Sequence, residues 1–255
     1  MAREKGGFWV GLAAFLFYPT TWLLSRWRVE GLERVPPTGP ALLVSNHISY
    51  LDPIYSAVWV HKSRRVPRFL AKNSLWKIPI FGSILSGSEQ IPVYRESIDA
   101  QRSLRAGTEA LNNDRVVVIY PEGTITRDPD GWPMHSRTGV ARLALSSDVP
   151  VLPMVHWGTR EIYDRYGKKF RPLPRKEVVV TCGDPIDLSA YRGREIDAAL
   201  LREVTDYLMT QVRELLAQVR GEPAPAGFYR RASASEASAL DGAPTSPPTE
   251  GDAAS

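Results

Sequence analysis

Two short segments of the sequence combine residue types that can move a proton and hold an anion. In the first, residues 46–52, four residues separate His47 from Asp52. A turn of that length can fold the carboxylate back onto the imidazole, which fixes the ring tautomer and leaves the other ring nitrogen as a general base. Taken alone, the same spacing more often marks a strand end followed by a helix cap.

The second segment, residues 120–127, reads Tyr-Pro-Glu-Gly-Thr-Ile-Thr-Arg and follows a run of β-branched residues. Such a run predicts a strand covered on both faces of a sheet. Gly123 permits unusual backbone angles and the close approach of a ligand. Arg127 is able to clamp a phosphate by a bidentate contact. A tight turn with a surface glutamate explains the segment equally well.

Two other segments and one lysine are less specific when each is considered alone. Residues 91–95 predict a strand that delivers Arg95, and residues 149–155 form an apolar strand that is typical of a core. Lys72 ends a predicted strand between the first two segments. Its charge suits an oxyanion or the phosphates of an acyl carrier, and a surface lysine is an equal alternative.

The pattern around these segments alternates between strands and helices. Strands are predicted at residues 41–45, 68–71, 90–94, 116–120, 149–155 and 177–181, and helices at 52–61, 97–112, 139–146 and 196–219. This alternation predicts an α/β fold with a mixed, largely parallel sheet flanked by helices. The residues suited to chemistry follow the strands, where functional groups cluster in such sheets.

Residues 8–24 form an uncharged, mostly apolar run of 17 residues that contains Pro19. A helix that spans a bilayer needs roughly 20 apolar residues. We therefore favour a membrane-anchoring helix in residues 1–28 that lies in one leaflet, with a single span and a soluble core helix as the alternatives. A secretory signal is disfavoured because no cleavage site of small residues follows the run.

The remaining composition predicts one domain over residues 29–220 and a disordered tail over residues 221–255, which are rich in Pro, Gly, Ser and Ala. The net charge of +4 suits an anionic lipid surface or an anionic substrate. No block of basic residues with interleaved aromatics indicates nucleic-acid binding.

Cysteine and histidine placement bears on the compartment and on metals. The single cysteine, Cys182, follows a predicted strand and is expected to be a buried thiol. Without a second cysteine there is no intramolecular disulfide, which favours a reducing, cytoplasmic-side location. His61, His135 and His156 lie too far apart in sequence to indicate a metal site, and no metal is expected.

Together, the segments that carry His47, Arg95, Glu122 and residues 149–155 resemble, in this order and at these distances, the four blocks of the glycerolipid acyltransferase family. Its best-known members are the 1-acylglycerol-3-phosphate, or lysophosphatidic acid, acyltransferases. The resemblance implies transfer of a fatty acyl group from acyl-CoA or acyl carrier protein to the sn-2 hydroxyl of lysophosphatidic acid. The product would be phosphatidic acid, for phospholipid biosynthesis at the cytoplasmic face of the cell membrane, without a cofactor.

The resemblance also implies roles for single residues. His47 would take the proton from the acceptor hydroxyl, and Asp52 would orient the imidazole of His47. Arg95 would help hold the acceptor phosphate. Residues 149–155 would line the acyl side.

The third block is matched by Glu122, Gly123 and Thr124 on the acceptor side. Members of the family usually carry arginine directly after Glu-Gly-Thr. Here Ile125 and Thr126 intervene, so Arg127 arrives two residues late.

Several alternatives remain open at this point. The acceptor is alternatively glycerol 3-phosphate, another lysophospholipid or a glycolipid. A non-catalytic protein of the same fold that binds lipid surfaces is the alternative from a different class, although the intact His47 and Asp52 pair argues against it. The sequence indicates no oligomeric state.

Overall fold

The computed structural model describes residues 4, 6–94 and 97–230. The strands are β1 (Ser25–Val29), β2 (Ala41–Ser45), β3 (Pro67–Lys72), β4 (Ile91–Val93), β5 (Val116–Ile119), β6 (Val151–Trp157), β7 (Tyr163–Asp164), β8 (Lys169–Phe170) and β9 (Lys176–Cys182). The helices are α1 (Gly7–Leu24), α2 (Asp52–Lys62), α3 (Phe81–Gly87), α4 (Ser97–Asn112), α5 (Gly139–Leu145), α6 (Thr159–Ile162) and α7 (Ala198–Arg220). Short 3₁₀ helices cover Leu32–Arg34 and Asn73–Lys77.

Within the described residues, one sheet has the strand order β1-β9-β6-β2-β5-β3-β4. The strands from β6 to β4 run parallel to one another, β9 runs antiparallel to β6, and β1 runs parallel to β9. Strands β7 and β8 form a separate hairpin. The predicted α/β fold with a mixed, largely parallel sheet is confirmed. The proline-containing strand β4 lies at the sheet edge, where a missing N–H donor is tolerated.

Helices cover both faces of the sheet because successive side chains of a strand point to opposite faces. In β5, Val117 and Ile119 pack with residues of α4, α5 and α7, whereas Val116 and Val118 pack with residues of α2. Each such valine contributes roughly 1.5–3 kcal/mol of burial free energy. Two-sided burial explains why the central strands are continuous apolar runs.

The carboxyl ends of the parallel strands meet at one edge of the sheet. His47 follows β2 there, Lys72 ends β3, Tyr120 follows β5, and Thr159 follows β6. Segments that are distant in sequence are therefore brought to one place by parallel strand order alone.

Two predicted boundaries need correction. Residues 25–28, assigned to the anchoring segment, form most of the edge strand β1, which pairs with β9 from Ser25 to Val29. Of the predicted tail, Phe228 packs against the core cluster, and the carbonyl of Tyr229 accepts a hydrogen bond from the backbone N–H of His135 at 3.0 Å. Residues 231–255 lie outside the described residues.

Candidate active site

The loop between β2 and α2 brings His47 and Asp52 together. His47 Nδ1 and Asp52 Oδ2 lie 2.9 Å apart. The same carboxylate oxygen accepts hydrogen bonds from the backbone N–H groups of Ile48 at 2.6 Å and Ser49 at 2.8 Å. The four intervening residues thus wrap around the carboxylate, and Pro53 lies in the first turn of α2, where proline is tolerated.

Asp52 is fully buried, yet it is held in its charged form. Burial by itself raises the pKa of this carboxyl, but the hydrogen bond with His47, electrostatic attraction to the rings of His156 and His47, and the hydrogen bond donated by Thr159 together outweigh it and leave the pKa below its ordinary value. Thr159 Oγ1 donates to Asp52 Oδ1 at 2.5 Å. An ionised aspartate on Nδ1 orients the imidazole and stabilises its protonated form, so that Nε2 is the nitrogen left for a substrate proton.

Glu122 fixes the backbone on which His47 stands. Its carboxylate accepts hydrogen bonds from the backbone N–H of His47 at 2.9 Å and from that of Met134 at 3.0 Å. Burial raises the pKa of Glu122 to about 8, and these two hydrogen bonds oppose the rise. In return, the carbonyl of His47 accepts from the N–H of Thr126 at 2.7 Å. The side chain of Glu122 is buried, and both of its oxygens bond to backbone N–H groups of the protein. These contacts position the loop that carries His47 and do not support a direct contact between Glu122 and the acceptor lipid.

A buried polar network lies beneath the imidazole of His47. The ring of Tyr120 stacks against it, with centroids 4.5 Å apart, and the Tyr120 hydroxyl shares a hydrogen bond with Ser56 at 2.8 Å. His156, fully buried, bonds to Ser56 through Nε2 at 2.9 Å and to Ser45 through Nδ1 at 3.0 Å. Burial lowers the pKa of His156 to about 4. The network packs against one face of the His47 ring without adding a charge.

His47 and Tyr120 line an open cavity of about 690 Å³. Most of its wall is apolar and comes from α1, α2, α3 and β3, with Phe17, Phe69 and Phe81 among the lining residues. Volume and character match the usual range of about 300–1,000 Å³ for small-molecule sites, which have apolar walls and a few polar groups. An acyl chain fits such a wall.

Two cationic side chains line the same cavity, Lys72 and Arg165. Arg165 follows the strand β7; its Nη1 donates to Thr124 Oγ1 at 3.2 Å, and its guanidinium lies 5.0 Å from the centroid of the Tyr50 ring. Gly123, which also lines the cavity, has φ of 68°, a conformation that glycine adopts without strain. Lys72, Gly123 and Thr124 thus line the same cavity as Arg165, an arginine that the sequence pattern does not indicate.

Three other expectations fare differently. Arg127 is exposed, and the described residues that line the cavity do not include it. Arg95 lies outside the described residues, so its contact with phosphate stays a prediction. Residues 149–155, expected to line the acyl side, are almost entirely buried in the sheet, and the described cavity wall contains none of them.

Some of the missed residues carry a sequence signal. Tyr120 directly precedes the Glu-Gly-Thr segment, and a strand-ending aromatic beside a predicted catalytic loop is a candidate for packing on the imidazole. Thr159 and Arg165 have no comparable signal, because their approach depends on β6 and on the short hairpin β7-β8. Within the described part of the chain, no group of His, Cys, Asp or Glu side chains is arranged to hold a metal ion.

Comparison with known proteins decides the family. Residues 26–157, which include His47, Asp52 and Glu122, match the Acyltransferase family. The chain belongs to this acyltransferase family. The match spans β1 to the end of β6, and so it covers the loops after β2 and β5 that build the site.

Individual acyltransferases show the same relationship. A chloroplastic 1-acyl-sn-glycerol-3-phosphate acyltransferase of Arabidopsis thaliana is 32% identical over 156 residues, 60% of this chain and 40% of that protein. A lysophospholipid acyltransferase of the same plant is 33% identical over 127 residues, 47% of this chain and 29% of that protein.

A solved structure is similar over most of the domain. The crystal structure of the 1-acyl-sn-glycerophosphate (LPA) acyltransferase of Thermotoga maritima is 26% identical, with a TM-score of 0.58. The alignment covers 82% of this chain and 80% of that one. By contrast, the chain spans less than half the length of the two plant relatives that it matches.

Proposed function

We propose that this protein transfers a fatty acyl group from a thioester to the sn-2 hydroxyl of 1-acylglycerol 3-phosphate, forming phosphatidic acid for phospholipid synthesis. The observation that carries the proposal is a pairing of two features. An Asp52-oriented His47 faces a largely apolar cavity, and the cationic side chains of Lys72 and Arg165 also line this cavity. The names of two of the compared proteins, from Arabidopsis thaliana and Thermotoga maritima, support this acceptor.

The proposed reaction needs a single general base. Nε2 of His47 takes the proton of the sn-2 hydroxyl while the hydroxyl oxygen attacks the thioester carbonyl carbon. The tetrahedral oxyanion collapses, the carbon–sulfur bond breaks, and the imidazolium returns its proton to the departing thiolate. General-base assistance of this kind accelerates reactions by roughly a hundred- to ten-thousand-fold. The ionised Asp52 stabilises the imidazolium between these two steps.

The cationic part of the cavity is the proposed site of the acceptor phosphate. Arg165 donates a hydrogen bond to Thr124, which lies in the same loop as Glu122, the residue that accepts from the backbone N–H of His47. A guanidinium can bind two phosphate oxygens at once, and these charge-assisted bonds are about twice as strong as neutral ones. Lys72 supplies a second charge to the phosphate, the oxyanion or the acyl carrier. The thioester is carried by coenzyme A or acyl carrier protein.

We further propose that α1 lies in the plane of one leaflet. Among the described residues it is the one helix that is long and apolar enough to cross a membrane. Both of its ends, however, are attached to the same domain. Before it, the carboxylate of Glu4 accepts hydrogen bonds from Arg115 at 3.0 Å and from the backbone N–H of Val66 at 3.0 Å. After it, Ser25 begins β1.

An 18-residue helix is about 27 Å long. If it spanned the bilayer, its two ends would lie on opposite sides, which these attachments oppose. The outer face of α1 is apolar, with Phe8 and Phe15 each 74% exposed and Trp22 69% exposed. An in-plane helix at the cytoplasmic face would bury this side in lipid and keep the cavity at the membrane surface.

An acceptor panel tests the proposed function. Purified protein would be given acyl-CoA or acyl-acyl carrier protein with lysophosphatidic acid, lysophosphatidylethanolamine, glycerol 3-phosphate or monoacylglycerol, and thiol release would be measured with product identification. We expect the highest kcat/KM with lysophosphatidic acid. A preference for another lysophospholipid would move the acceptor assignment toward the second Arabidopsis relative. Absence of thiol release with every acceptor would favour the non-catalytic lipid-binding alternative.

A further inference from the structure

The chain makes a tight, unusual corner between the 3₁₀ helix Asn73–Lys77 and α3. At Ile80 φ is 64° and ψ is −52°, and the N–H of Phe81 donates to the carbonyl of Pro79 at 2.6 Å. This is a γ-turn of the positive-φ type, which is rare and strained. For a β-branched residue, positive φ is a genuine outlier. Such a conformation persists only where the surroundings enforce it.

The neighbouring residues do enforce it. The N–H of Gly82 donates to the carbonyl of Ile78 at 2.8 Å. A Cβ on Gly82 would lie 2.3 Å from the backbone oxygen of Trp76, so only glycine fits there. The result is that Ile80 is 72% exposed and Ile78 is 47% exposed. The fold thus maintains a strained turn, and this turn places the side chains of two isoleucines at the surface rather than in the core.

This corner and the apolar helix α1 border the same cavity. Val10 and Phe17 of α1 line it, as do Leu75 and Phe81 on either side of the corner. Helices α1 and α3 are also in contact, since the indole of Trp9 in α1 lies directly over Gly87 at the end of α3. Gly87 is about 10 Å along the axis of α3 from Ile80. The exposed isoleucines therefore belong to the same rim of the cavity as the helix assigned to the leaflet.

Basic residues accompany the corner. Lys77 directly precedes Ile78, Lys72 lies five residues earlier, and both are exposed. Apolar side chains beside lysines match a bilayer with anionic headgroups, because the isoleucines enter the acyl layer while the ammonium groups stay at the phosphates. A water-exposed role gives no reason to hold an isoleucine in a strained conformation.

We propose that the corner at residues 77–81 is a second membrane-contacting element, which inserts Ile78 and Ile80 into the leaflet that receives α1. The cavity then opens sideways into the bilayer between the corner and α1, so that the lysolipid acceptor enters from lipid rather than from water. The occupant of this surface is an anionic lipid bilayer. The proposal rests on the membrane placement of α1 given above, but not on the identity of the acceptor.

Site-specific fluorescence tests insertion without any use of activity. Cys182 is buried, so a fluorophore attached to the full-length Ile80→Cys variant reports on the corner. The matched control is Gln101→Cys, an exposed site on α4, which packs on the opposite face of the sheet. With vesicles of phosphatidylcholine and phosphatidylglycerol that carry acyl-chain spin labels, we expect strong quenching at position 80 and little at position 101. Equal quenching at both positions would overturn the proposal.

Binding of the same vesicles by substituted proteins gives an independent measurement. Ile78→Ser with Ile80→Ser should weaken binding about ten- to a hundred-fold, since burial of two isoleucine side chains is lost. The control is Ile196→Ser, whose isoleucine is 46% exposed just before α7. A double variant that binds as well as this control would contradict the proposal.

Ile80→Gly separates the membrane role from a structural one. Glycine adopts positive φ without strain, so this variant should melt at a higher temperature while it binds vesicles more weakly. Unchanged binding would show that the turn serves only the fold. If the position-80 probe responds to acyl-CoA but not to vesicles, the corner is a lid over the cavity and the proposal is wrong. Loss of activity toward lysophosphatidic acid would bear on the proposed function alone.

Discussion

The carboxylate of Glu122 accepts a hydrogen bond from the backbone N–H of His47 at 2.9 Å, although the two residues are 75 positions apart in the chain. The parallel neighbours β2 and β5 make this contact possible, because the loops after both strands leave the same edge of the sheet. Glu122 therefore acts on the reaction through the histidine that it positions, and the same carboxylate secures the loop at Met134.

Replacement of Glu122 by glutamine should lower kcat more than it changes KM. Glutamine offers one acceptor oxygen for two backbone N–H groups, so one of them loses its partner in a buried site at about 1–3 kcal/mol. We expect a fall in kcat of about ten-fold or more, together with a lower melting temperature. Glu161→Gln, at an exposed site, is the control. A Glu122→Gln enzyme with wild-type kcat would mean that the contact does not position His47.

We expect the guanidinium of Arg165, and not that of Arg127, to bind the phosphate of the acceptor lipid. A hydrogen bond to a charged group contributes about 1.5–3 kcal/mol, so Arg165→Ala should raise the KM for lysophosphatidic acid roughly ten- to a hundred-fold. The KM for the acyl donor and for monoacylglycerol should change little. Arg165→Lys should recover only part of the loss, because lysine lacks the planar fork of donors.

Arg127→Ala provides the internal comparison for this series, since its side chain is exposed outside the cavity. The expectation from sequence that Arg95→Ala also raises the KM for lysophosphatidic acid is measured alongside. If Arg127→Ala weakens acceptor binding and Arg165→Ala does not, the sequence-based assignment is right and the one made from the cavity is wrong.

His156 should make the fold sensitive to acid. Burial lowers its pKa from 6.5 to about 4, so the unfolded chain takes up a proton at a pH where the folded protein does not. Its contribution to stability is present above pH 6.5 and is lost as the pH falls through about 4, a decrease of roughly 3 kcal/mol in the free energy of unfolding. Urea titrations from pH 7 to pH 4 should show a smaller decrease for His156→Gln. Parallel curves for the two proteins would exclude this role.

Labelling of both ends of α1 should report the same side of the membrane. Single cysteines at Ala2→Cys and Arg26→Cys flank the helix, and a membrane-impermeant thiol reagent applied to sealed inverted vesicles should modify both. Gln101→Cys, on the far face of the domain, should be modified to the same extent. Modification of one flanking site but not the other would establish a single span instead.

Much of the fold was predictable because the central strands are buried on both faces. Their apolar runs identify β2, β5, β6 and β9 directly, and the alternation with helices predicts a largely parallel sheet. Strand β1 was missed because it is exposed at alternate positions, carries Arg26 and Arg28, and continues directly from an apolar helix. Only its pairing with β9 reveals it as a strand.

The site was predictable where its parts are close in sequence. The spacing of His47 and Asp52 predicts one tight loop that joins their side chains. Gly123 predicts a positive φ angle at that position of the loop after β5. Arg165 was not predictable, because a two-residue hairpin strand precedes it and its approach to Thr124 depends on how that hairpin packs. Sequence favoured Arg127 because it is close in the chain, whereas the fold favours the arginine that is close in space.

The most direct test of the proposed chemistry is lysophosphatidic acid-dependent thiol release from acyl-CoA by His47→Ala, compared with the wild type. Circular dichroism and thermal melting would first establish that the variant is folded. We predict a rate at least a hundred-fold lower, because general-base catalysis contributes roughly a hundred- to ten-thousand-fold. A folded His47→Ala protein that releases thiol at a rate close to that of the wild type would contradict the assignment of His47 as the base.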